Sequence, residues 1–412
     1  IGIALVTQDG PQWVAGLGVR DLATGAAADA DTLFRIASVS KVYVGLAVMK
    51  LVEQGRLHLD DRLRALAPDL QFQNPWEQDH PILIEHLLEH TTGWDTRPSE
   101  YLRSAPDSLS LQAGLADPAR VRARTSRWVP GTRHAYSNTG PVVAAFVVEQ
   151  LTHTRFEDYV RTELFEPLGL RATGYDESAA WQRLGATGYV NGQPVPYAHL
   201  YSRPASSIHS SAHDMARLLQ LLIGRGTVEG QQILRADSIL ALETPHSTLG
   251  ARQGLRSGYG LTLEIYGAQA HGVALYGHGG NLPGSITELV YSPALHAGFV
   301  FMLNAQNDAA YRRLYDLLID YLLQDAPAPS PAEQPLAAAN QALPGLYQLV
   351  SPQGELLRIK TDLLDVVRID ADRTSLTVSP LWGGSTRRYL AGPRTALRSA
   401  ASDRQMSACC TR

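Results

Sequence analysis

Cysteine is almost absent from this chain of 412 residues: the only two, Cys409 and Cys410, are adjacent at its C-terminal end. Neighbouring cysteines rarely pair with each other and cannot build a disulfide framework. The sequence therefore excludes a disulfide-stabilised scaffold for the body of the protein. A cysteine-free body suits an oxidising compartment, and the chain begins at Ile1 without a leader segment. We expect a periplasmic or secreted protein whose leader was removed by processing or cloning.

Long apolar runs and clusters of one charge sign are also missing. The longest uncharged apolar runs, such as Val142–Val148, are far shorter than the roughly 18 residues of a membrane span. The 36 lysines and arginines are scattered, and the net charge is −4. The sequence has no basic stripe and therefore gives no indication of binding to nucleic acid or to anionic lipid. A composition of 44% hydrophobic and 18% charged residues is ordinary for a soluble globular protein.

The length suits one large domain with a small appendage. Asp325–Gln341 is rich in proline and alanine, which predicts a linker. We therefore expect a large domain over residues 1–324, a small β module over 342–400 and a frayed tail over 401–412. The module's predicted strands are Gly345–Val350, Leu356–Lys360, Leu364–Ile369, Ser375–Val378 and Arg387–Leu390.

The large domain begins with strands, continues with helices and returns to strands. This order predicts an α/β (α+β) fold in which helices cover both faces of one antiparallel sheet. Its first and last strands meet across a large helical insertion. The predicted elements are strands Ile1–Thr7 and Gln12–Val19 around a turn at Asp9–Pro11, a helix Val42–Gln54 closed by Gly55, a helix through Leu222 begun by a Ser211–Asp214 capping box, strands Tyr259–Tyr266, Val273–Gly277, Ile286–Tyr291 and Ala297–Leu303, and a helix Tyr311–Leu323.

Ser38 and Lys41 form the first candidate catalytic pair. Residues three apart share a helix face, so these two side chains meet one turn apart. An unprotonated lysine in a dry pocket can take the proton of a serine hydroxyl, because burial lowers the lysine pKa. A helix N-terminus also favours a developing oxyanion. Ser40 lies about 100° round the helix from Lys41, so it is the weaker candidate for the nucleophile. The S-x-x-K spacing also occurs by chance in many helices.

Tyr136 and Asn138 form the second signal. Alternation along an extended loop puts the phenol and the amide on the same side. The positive charge of a nearby lysine ammonium favours the phenolate form of a tyrosine, which can then act as a general base. Asn138 can donate to a substrate carbonyl and fix Lys41. The alternative interpretation is an ordinary turn, because proline, glycine, serine and asparagine are common turn residues.

His278, Gly279 and Gly280 form the third signal. Consecutive glycines allow a substrate to lie along a strand edge and pair with its main chain. The N–H group of Asn281 would then be the second oxyanion donor, after that of Ser38. A glycine-rich hairpin with an exposed histidine is the alternative.

Five phrases carry a resemblance to a known family. They are TLFRIASVSK around Ser38, HLLEHTTG at 86–93, PGTRHAYSN ending at Asn138, FEPLGL at 165–170 and YGHGGNLPG around His278. Over residues 1–324 the chain resembles the penicillin-recognising serine hydrolases, which have the β-lactamase-like fold. This group includes class C β-lactamases, D,D-carboxypeptidases, D-aminopeptidases and β-lactamase-like carboxylesterases. The C-terminal module is similar to the small lipocalin-like modules of some members.

The resemblance implies a role for each matching position. Ser38 would be the acylating serine and Lys41 its partner, with Tyr136 as the catalytic tyrosine of the class C-like branch. Asn138 would correspond to the asparagine of that branch. Gly280 would lie within the strand that binds the substrate. His278 occupies the place of the lysine that holds a penicillin carboxylate. Because a histidine is mostly neutral at pH 7, we expect weak β-lactam binding.

The resulting hypothesis is a cofactor-free serine hydrolase acting on a small ester, amide or peptide. Carboxylesterase or D-amino-acid peptidase activity ranks first. A true class C-type β-lactamase or D,D-carboxypeptidase is one alternative, and a catalytically silent peptidoglycan-binding or scaffold relative is another. The oligomeric state stays open.

A competing metal motif is present at His86–His90, which fits the H-x-x-E-H pattern. The two histidines would share one helix face if the helix continued through both. The same stretch belongs to the HLLEHTTG phrase, however, and no downstream glutamate ligand stands out. We therefore predict no metal site.

Cutting the chain near Pro331 should leave the chemistry intact, since every candidate catalytic residue precedes the linker. Small domains bury little surface, so the module is expected to dock on the large domain rather than to fold alone. We predict that the truncated protein keeps a near-normal kcat on a small activated ester, while its selectivity or oligomeric state changes. Ester kinetics and light scattering on the full-length and truncated proteins test this. Complete loss of ester hydrolysis in a truncated protein that circular dichroism shows to be folded would contradict the domain partition.

Overall fold

The computed structural model describes residues 1–95, 109–175, 177–197, 199–254, 258–268, 273–326, 335, 341–348, 366–382, 386–391 and 397–399. Its strands are β1 Gly2–Thr7, β2 Gly10–Gly16, β3 Phe34–Arg35, β4 Gly188–Val190, β5 Gln193–Val195, β6 His209–Ser210, β7 Thr227–Val228, β8 Gln231–Gln232, β9 Gly258–Tyr259, β10 Glu264–Ala268, β11 Ala274–Leu282, β12 Ser285–Ser292, β13 Ala297–Leu303, β14 Gly345–Gln348, β15 Val366–Ala371, β16 Ser375–Pro380, β17 Arg387–Ala391 and β18 Leu397–Ser399. Its α-helices are α1 Ser40–Glu53, α2 Leu63–Leu66, α3 Ile84–Leu88, α4 Leu111–Leu115, α5 Pro118–Ala123, α6 Thr139–Thr152, α7 Phe156–Val160, α8 Ala179–Leu184, α9 Arg203–Ser206, α10 Ala212–Ile223, α11 Ala236–Leu242, α12 Leu249–Arg252 and α13 Asp308–Leu323.

A seven-stranded antiparallel sheet runs through the large domain in the order β2-β1-β13-β12-β11-β10-β9. Strand β1 pairs with β13, with Ile3 opposite Phe301. The first strand therefore meets the last one across the helical insertion, and the predicted sheet is confirmed. The predicted strand Tyr259–Tyr266 is wrong, because β9 and β10 form a hairpin there. The chain reverses at Thr262, whose φ is 76°.

Helices cover both faces of this sheet, as its side-chain alternation requires. On β13, Val300 and Met302 point into the larger core, which α1, α6 and α10 fill. The alternate residues Phe299 and Phe301 point to the other face, where they pack with α13. The insertion between β2 and β9 therefore lies on one side of the sheet, and the last helix lies on the other.

Glycine and serine end and begin helices largely as predicted. After α1, Gly55 adopts a φ of 65°, the left-handed conformation that closes a helix. At α10, the Ser211 hydroxyl accepts the Asp214 N–H at 3.1 Å. The reciprocal half of the predicted capping box is wrong, since the Asp214 carboxylate accepts the N–H groups of residues 171–173 instead. It therefore ties the preceding loop to the helix N-terminus.

The C-terminal module contains a five-stranded antiparallel sheet in the order β14-β15-β16-β17-β18. Strands were predicted close to β14, β15, β16 and β17, and these four are confirmed in type and order. The predicted strand Leu356–Lys360 and the tail 401–412 lie outside the described residues, as does most of the linker. Leu376 is the buried centre of the module's small core. In the part of the chain that the structure describes, no helix has both the length and the apolar character to cross a membrane.

Two carboxylates flank the glycines of β11 on the face that α13 covers. Glu264 lies opposite Gly277, and Glu288 lies opposite Gly279. Glu288 accepts the phenol protons of Tyr266 at 2.7 Å and of Tyr311 at 2.8 Å. Burial raises the pKa of Glu288 to about 7, and burial with the neighbouring Glu288 charge raises the pKa of Glu264 to about 8. The folded protein therefore favours the neutral carboxyl at both positions.

Protein stability should carry a signature of this pair. A folded-state pKa above the unfolded value gives stability that is present below about pH 4.5 and lost as the pH rises through about 7. We predict that Glu288→Gln, a permanently neutral mimic, shows a smaller fall in Tm between pH 5 and pH 8, each kcal/mol corresponding to about 2–4 °C. The control is Glu166→Gln, because Glu166 is exposed. Equal pH slopes in both variants would contradict the assignment.

Candidate active site

Ser38 lies in a tight turn between the short strand β3, which pairs with β6, and the helix α1. Strand β3 leads into a 3₁₀ turn at Ala37–Val39, and α1 begins at Ser40. Ala37, immediately before Ser38, has a φ of 49°, a left-handed conformation that is uncommon for alanine. The predicted placement is thus refined, because Ser38 precedes the α-helix and lies within the 3₁₀ turn. The turn still brings Lys41 Nζ to 3.0 Å from Ser38 Oγ.

The Lys41 ammonium is buried without a carboxylate in contact. Its side chain is 0% exposed, and Nζ also lies 3.0 Å from the carbonyl oxygen of Ala205 on α9. Burial lowers the pKa of Lys41 well below its ordinary value, and the Glu264 charge offsets this only in part. A neutral amine at this position can accept the Ser38 hydroxyl proton.

Ser40, the weaker nucleophile candidate, is committed to the backbone. Its hydroxyl is buried, donates to the Ala37 carbonyl at 2.6 Å and accepts the Ile208 N–H at 3.2 Å. These bonds hold the Ser38 turn against the segment that follows α9. The contact pattern gives Ser40 a structural role.

Tyr136 lies beside the same amine. Lys41 Nζ is 4.9 Å from the centre of the Tyr136 ring, and the His90 ring packs on the phenol with centroids 4.4 Å apart. His90 Nδ1 accepts the N–H of Ser137 at 3.2 Å, which fixes the loop directly after Tyr136. Burial lowers the pKa of His90 well below its usual value, so the ring is a neutral acceptor. His90 was not predicted as a site residue.

The H-x-x-E-H stretch does not have the geometry of a zinc motif. Helix α3 ends at Leu88, and His90 has a φ of 57°, so the expectation that both histidines share a helix face is wrong. His86 Nδ1 accepts the Leu83 N–H at the start of α3. The Glu89 carboxylate accepts the N–H groups of His246 and Ser247. Among the described residues, no cluster of three metal-ligating side chains occurs.

Asn138 begins α6 with its side chain buried to 1% exposure. Neither its amide oxygen nor its amide nitrogen has a hydrogen-bond partner within the described ranges. The prediction that Asn138 fixes Lys41 is wrong, because the contacts of Lys41 Nζ are Ser38 and Ala205. Asn138 instead contributes to the lining of a pocket beside α4 and the segment before α9.

His278 is buried and fully engaged. Its Nε2 lies 2.9 Å from the Tyr259 hydroxyl, and its Nδ1 lies 2.5 Å from the Gly279 carbonyl oxygen. Since a carbonyl only accepts, Nδ1 carries the proton and Nε2 accepts from Tyr259. Burial and the nearby Lys41 charge lower the pKa of His278 to about 3. The ring therefore supplies no positive charge at neutral pH and fixes the Gly279 peptide.

Tyr259 was missed at the sequence level. Its ring contacts those of Tyr136 and His90, with centroids 6.1 and 4.7 Å apart. No spacing rule links a tyrosine on β9 with a histidine on β11. The hairpin between β9 and β10 brings the two side chains together.

Gly280 allows β11 to approach the Ser38 turn. A Cβ atom at Gly280 would lie 2.3 Å from the Ile36 carbonyl oxygen, too close for any side chain. The glycine-rich stretch is therefore part of β11 itself and does not form the turn, which lies at Pro283–Gly284. The predicted strand Val273–Gly277 is therefore too short at its C-terminal end.

The register of β11 orients the Asn281 backbone. Leu282 and Ser285 flank the two-residue loop and form a hydrogen-bonded pair, and such pairs alternate along an antiparallel ladder. The N–H group of Asn281 therefore points away from β12. On the side of β11 away from β12, β10 pairs with β11 only up to Gly277. Within the described strands, the part of β11 after Gly277 therefore has no partner on that side. Gly280, the residue before Asn281, lies against the Ser38 turn.

Three comparisons place this geometry among known proteins. Protein Rv1367c of Mycobacterium tuberculosis is 30% identical over 306 residues, which are 64% of this chain and 74% of that protein. Penicillin-binding protein 4 of Amycolatopsis lactamdurans is 27% identical over 84% of this chain and 93% of its own length. The structure of an octameric penicillin-binding protein homologue from Pyrococcus abyssi has a TM-score of 0.66 at 22% identity, covering 96% of this chain and 90% of that one.

A family model described as Beta-lactamase matches residues 1–324, the segment that carries the sheet, both helical layers and every candidate catalytic side chain. The structural neighbour shares the fold over nearly the whole chain. The resemblance inferred from the five sequence phrases is confirmed, and the chain belongs to the Beta-lactamase family of hydrolases with the β-lactamase-like fold.

Proposed function

We propose that this protein is a serine hydrolase that cleaves esters or amides through an acyl-enzyme on Ser38. The observation that carries the proposal is the 3.0 Å contact between Ser38 Oγ and a fully buried Lys41 amine. A nucleophile within hydrogen-bond reach of a base whose pKa is depressed is the arrangement that activates serine.

The first half-reaction forms the acyl-enzyme. Ser38 Oγ attacks the substrate carbonyl carbon, and the hydroxyl proton passes to the Lys41–Tyr136 pair. The oxyanion of the tetrahedral intermediate accepts the N–H groups of Ser38 and Asn281. As the carbonyl re-forms, the bond to the leaving group breaks, and Tyr136 protonates the departing alcohol or amine. The proton belongs to the coupled pair, so no single base is assigned.

The second half-reaction repeats these steps with water. Water attacks the acyl carbon, gives its proton to the same pair and releases the carboxylic acid, while Ser38 recovers its proton. No step calls for a cofactor or a metal ion. Asn138, with its donor and acceptor unpaired, is available to bind a polar group of the acyl portion.

The neutral His278 ring favours esters and D-amino-acid peptides over β-lactams. Class C-type recognition of a penicillin uses a fixed cation at this position, and a ring with a pKa of about 3 cannot supply it. Carboxylesterase or D-amino-acid peptidase activity is therefore our first choice. A β-lactamase or D,D-carboxypeptidase is the second candidate, favoured by the similarity to a penicillin-binding protein over 84% of the chain. A periplasmic or secreted location remains a prediction.

Removal of the nucleophile tests the proposal directly. Ser38→Ala should abolish turnover of p-nitrophenyl esters and D-amino-acid anilides and prevent labelling by a fluorophosphonate, with a loss of ~10⁴–10⁶ in kcat. Ser40→Ala is the matched control and should still be labelled. A fluorophosphonate adduct that maps to Ser40, or no adduct in the folded wild-type protein, would refute the assignment.

Adjacent glycines offer a second, matched test of the geometry. In Gly280→Ala the new Cβ meets the Ile36 carbonyl oxygen and displaces β11 from the Ser38 turn. In Gly279→Ala the nearest atom is the end of the Glu288 side chain at 3.1 Å, which needs to shift by only a few tenths of an ångström. A misplacement of reacting groups by about 1 Å lowers the rate about 10²-fold. We therefore predict a loss of that size in kcat for Gly280→Ala and a much smaller loss for Gly279→Ala. Equal kcat values in two folded variants would show that β11 does not form the oxyanion site.

A further inference from the structure

Two residues of β11 offer main-chain groups that an extended substrate can pair with. Leu282 and Ser285 form a hydrogen-bonded pair, and such pairs alternate along the ladder with β12. The N–H and C=O groups of Gly279 and Asn281 therefore point away from β12. Within the described strands, β10 covers that side of β11 only up to Gly277. We call the part formed by Gly279 and Asn281 the open edge.

The proposed chemistry fixes how a substrate lies along the open edge. The scissile carbonyl accepts the N–H of Asn281, and Tyr136 protonates the leaving group. The Tyr136 ring lies 6.1 Å from the His278 ring, between centroids, so the leaving group extends along β11 toward Gly279. Hydrogen-bonded pairs in an antiparallel ladder recur every two residues. The second residue after the scissile bond therefore presents its N–H to the Gly279 carbonyl.

That carbonyl is already engaged by a side chain of the protein. The Nδ1–H of His278 donates to it, and the two atoms are 2.5 Å apart. The phenol of Tyr259 donates to Nε2 of the same ring at 2.9 Å, and Tyr259 itself packs on His90. His278 is 1% exposed and Tyr259 is 6% exposed, so the surrounding protein holds both rings in place. The bonds from Tyr259 through His278 to Gly279 therefore close the open edge at Gly279.

We propose that His278, held by Tyr259, is a specificity-determining residue that limits the leaving group to an alcohol, an amine or a single amino acid. The inference rests on the proposed Ser38 chemistry and narrows its substrate class to esters and amides that end one residue after the scissile bond. A longer leaving group would bring an N–H to the occupied Gly279 carbonyl and leave it unpaired. An unpaired buried donor lowers kcat/KM about tenfold or more.

Two nearly isosteric substrates test the closed edge. The N-acetyl-D-alanyl esters of methyl glycolate and of N-methylglycolamide differ by one group, an ester oxygen or an N–H, at the position opposite Gly279. Wild-type protein should release N-acetyl-D-alanine from the methyl glycolate ester with about tenfold higher kcat/KM. His278→Ala frees the Gly279 carbonyl and should abolish or reverse this preference. Tyr259→Phe loosens the His278 ring and should reduce the preference in the same direction.

Tyr276→Phe is the matched control. Tyr276 lies two residues before His278 on β11, where β10 already covers the edge, and its ring packs on Tyr291 with centroids 5.9 Å apart. This variant should keep the wild-type preference. Because the preference is a ratio within each variant, a general loss of activity does not change it. Equal kcat/KM for the two esters in wild-type protein, or an unchanged preference in folded His278→Ala and Tyr259→Phe, overturns the proposal.

Binding to Ser38→Ala protein separates this specificity from the chemistry. Calorimetry should show about tenfold weaker binding of the N-methylglycolamide ester than of the methyl glycolate ester. The difference should disappear in the Ser38→Ala, His278→Ala double variant. If wild-type protein hydrolyses neither ester but the binding difference is present, the proposed function falls and the closed edge stands. Absence of both turnover and the binding difference overturns both.

Discussion

The burial of one lysine amine is the constraint on which the site depends. Lys41 lies on α1, a largely buried helix, and its side chain is inaccessible to solvent. A buried ammonium without a carboxylate in contact is costly, so burial favours the neutral amine. A neutral amine is the form that the proposed mechanism needs next to Ser38. The helical layer that buries α1 therefore sets the condition for the proposed chemistry.

The nearby polar side chains follow the same rule. His90 and His278 are both neutral because burial lowers their pKa values, and each ring is held by a hydrogen bond to the backbone or to Tyr259. Neutral rings can pack around the amine without adding positive charge, which would repel a protonated Lys41. The carboxylates Glu264 and Glu288 lie on strands β10 and β12, where burial also favours their neutral form. Burial thus favours the neutral form of each of these four groups.

Close backbone approach is the second requirement. Strand β11 can reach the Ser38 turn only because Gly280 has no side chain. The strained φ of Ala37 belongs to the same contact, since it shapes the turn that the strand meets. Tight packing and backbone strain therefore occur together at the turn that carries Ser38.

The sequence by itself determined the parts that rest on local rules. Periodicity and turn residues predicted the sheet strands near β1, β12 and β13, helix α1 with Gly55 at its end, and the separation of a C-terminal module. The one-turn spacing of Ser38 and Lys41 predicted their contact, because three residues span one helical turn whatever surrounds them. The five phrases shared with the family, in their order along the chain, predicted the fold.

Only the tertiary structure decided the features that depend on distant residues. Local alternation predicted a contact between Asn138 and Lys41, yet among the described residues the buried Asn138 amide has no hydrogen-bond partner. The reversal at Thr262, the end of α3 before His90 and the Tyr259–His278 bond have no local signature. The pKa values of Lys41 and His278 likewise follow from burial, which sums over the whole fold. Local rules could place Ser38 next to Lys41, but only the packing of helices against the sheet shifts the pKa values of Lys41 and His278.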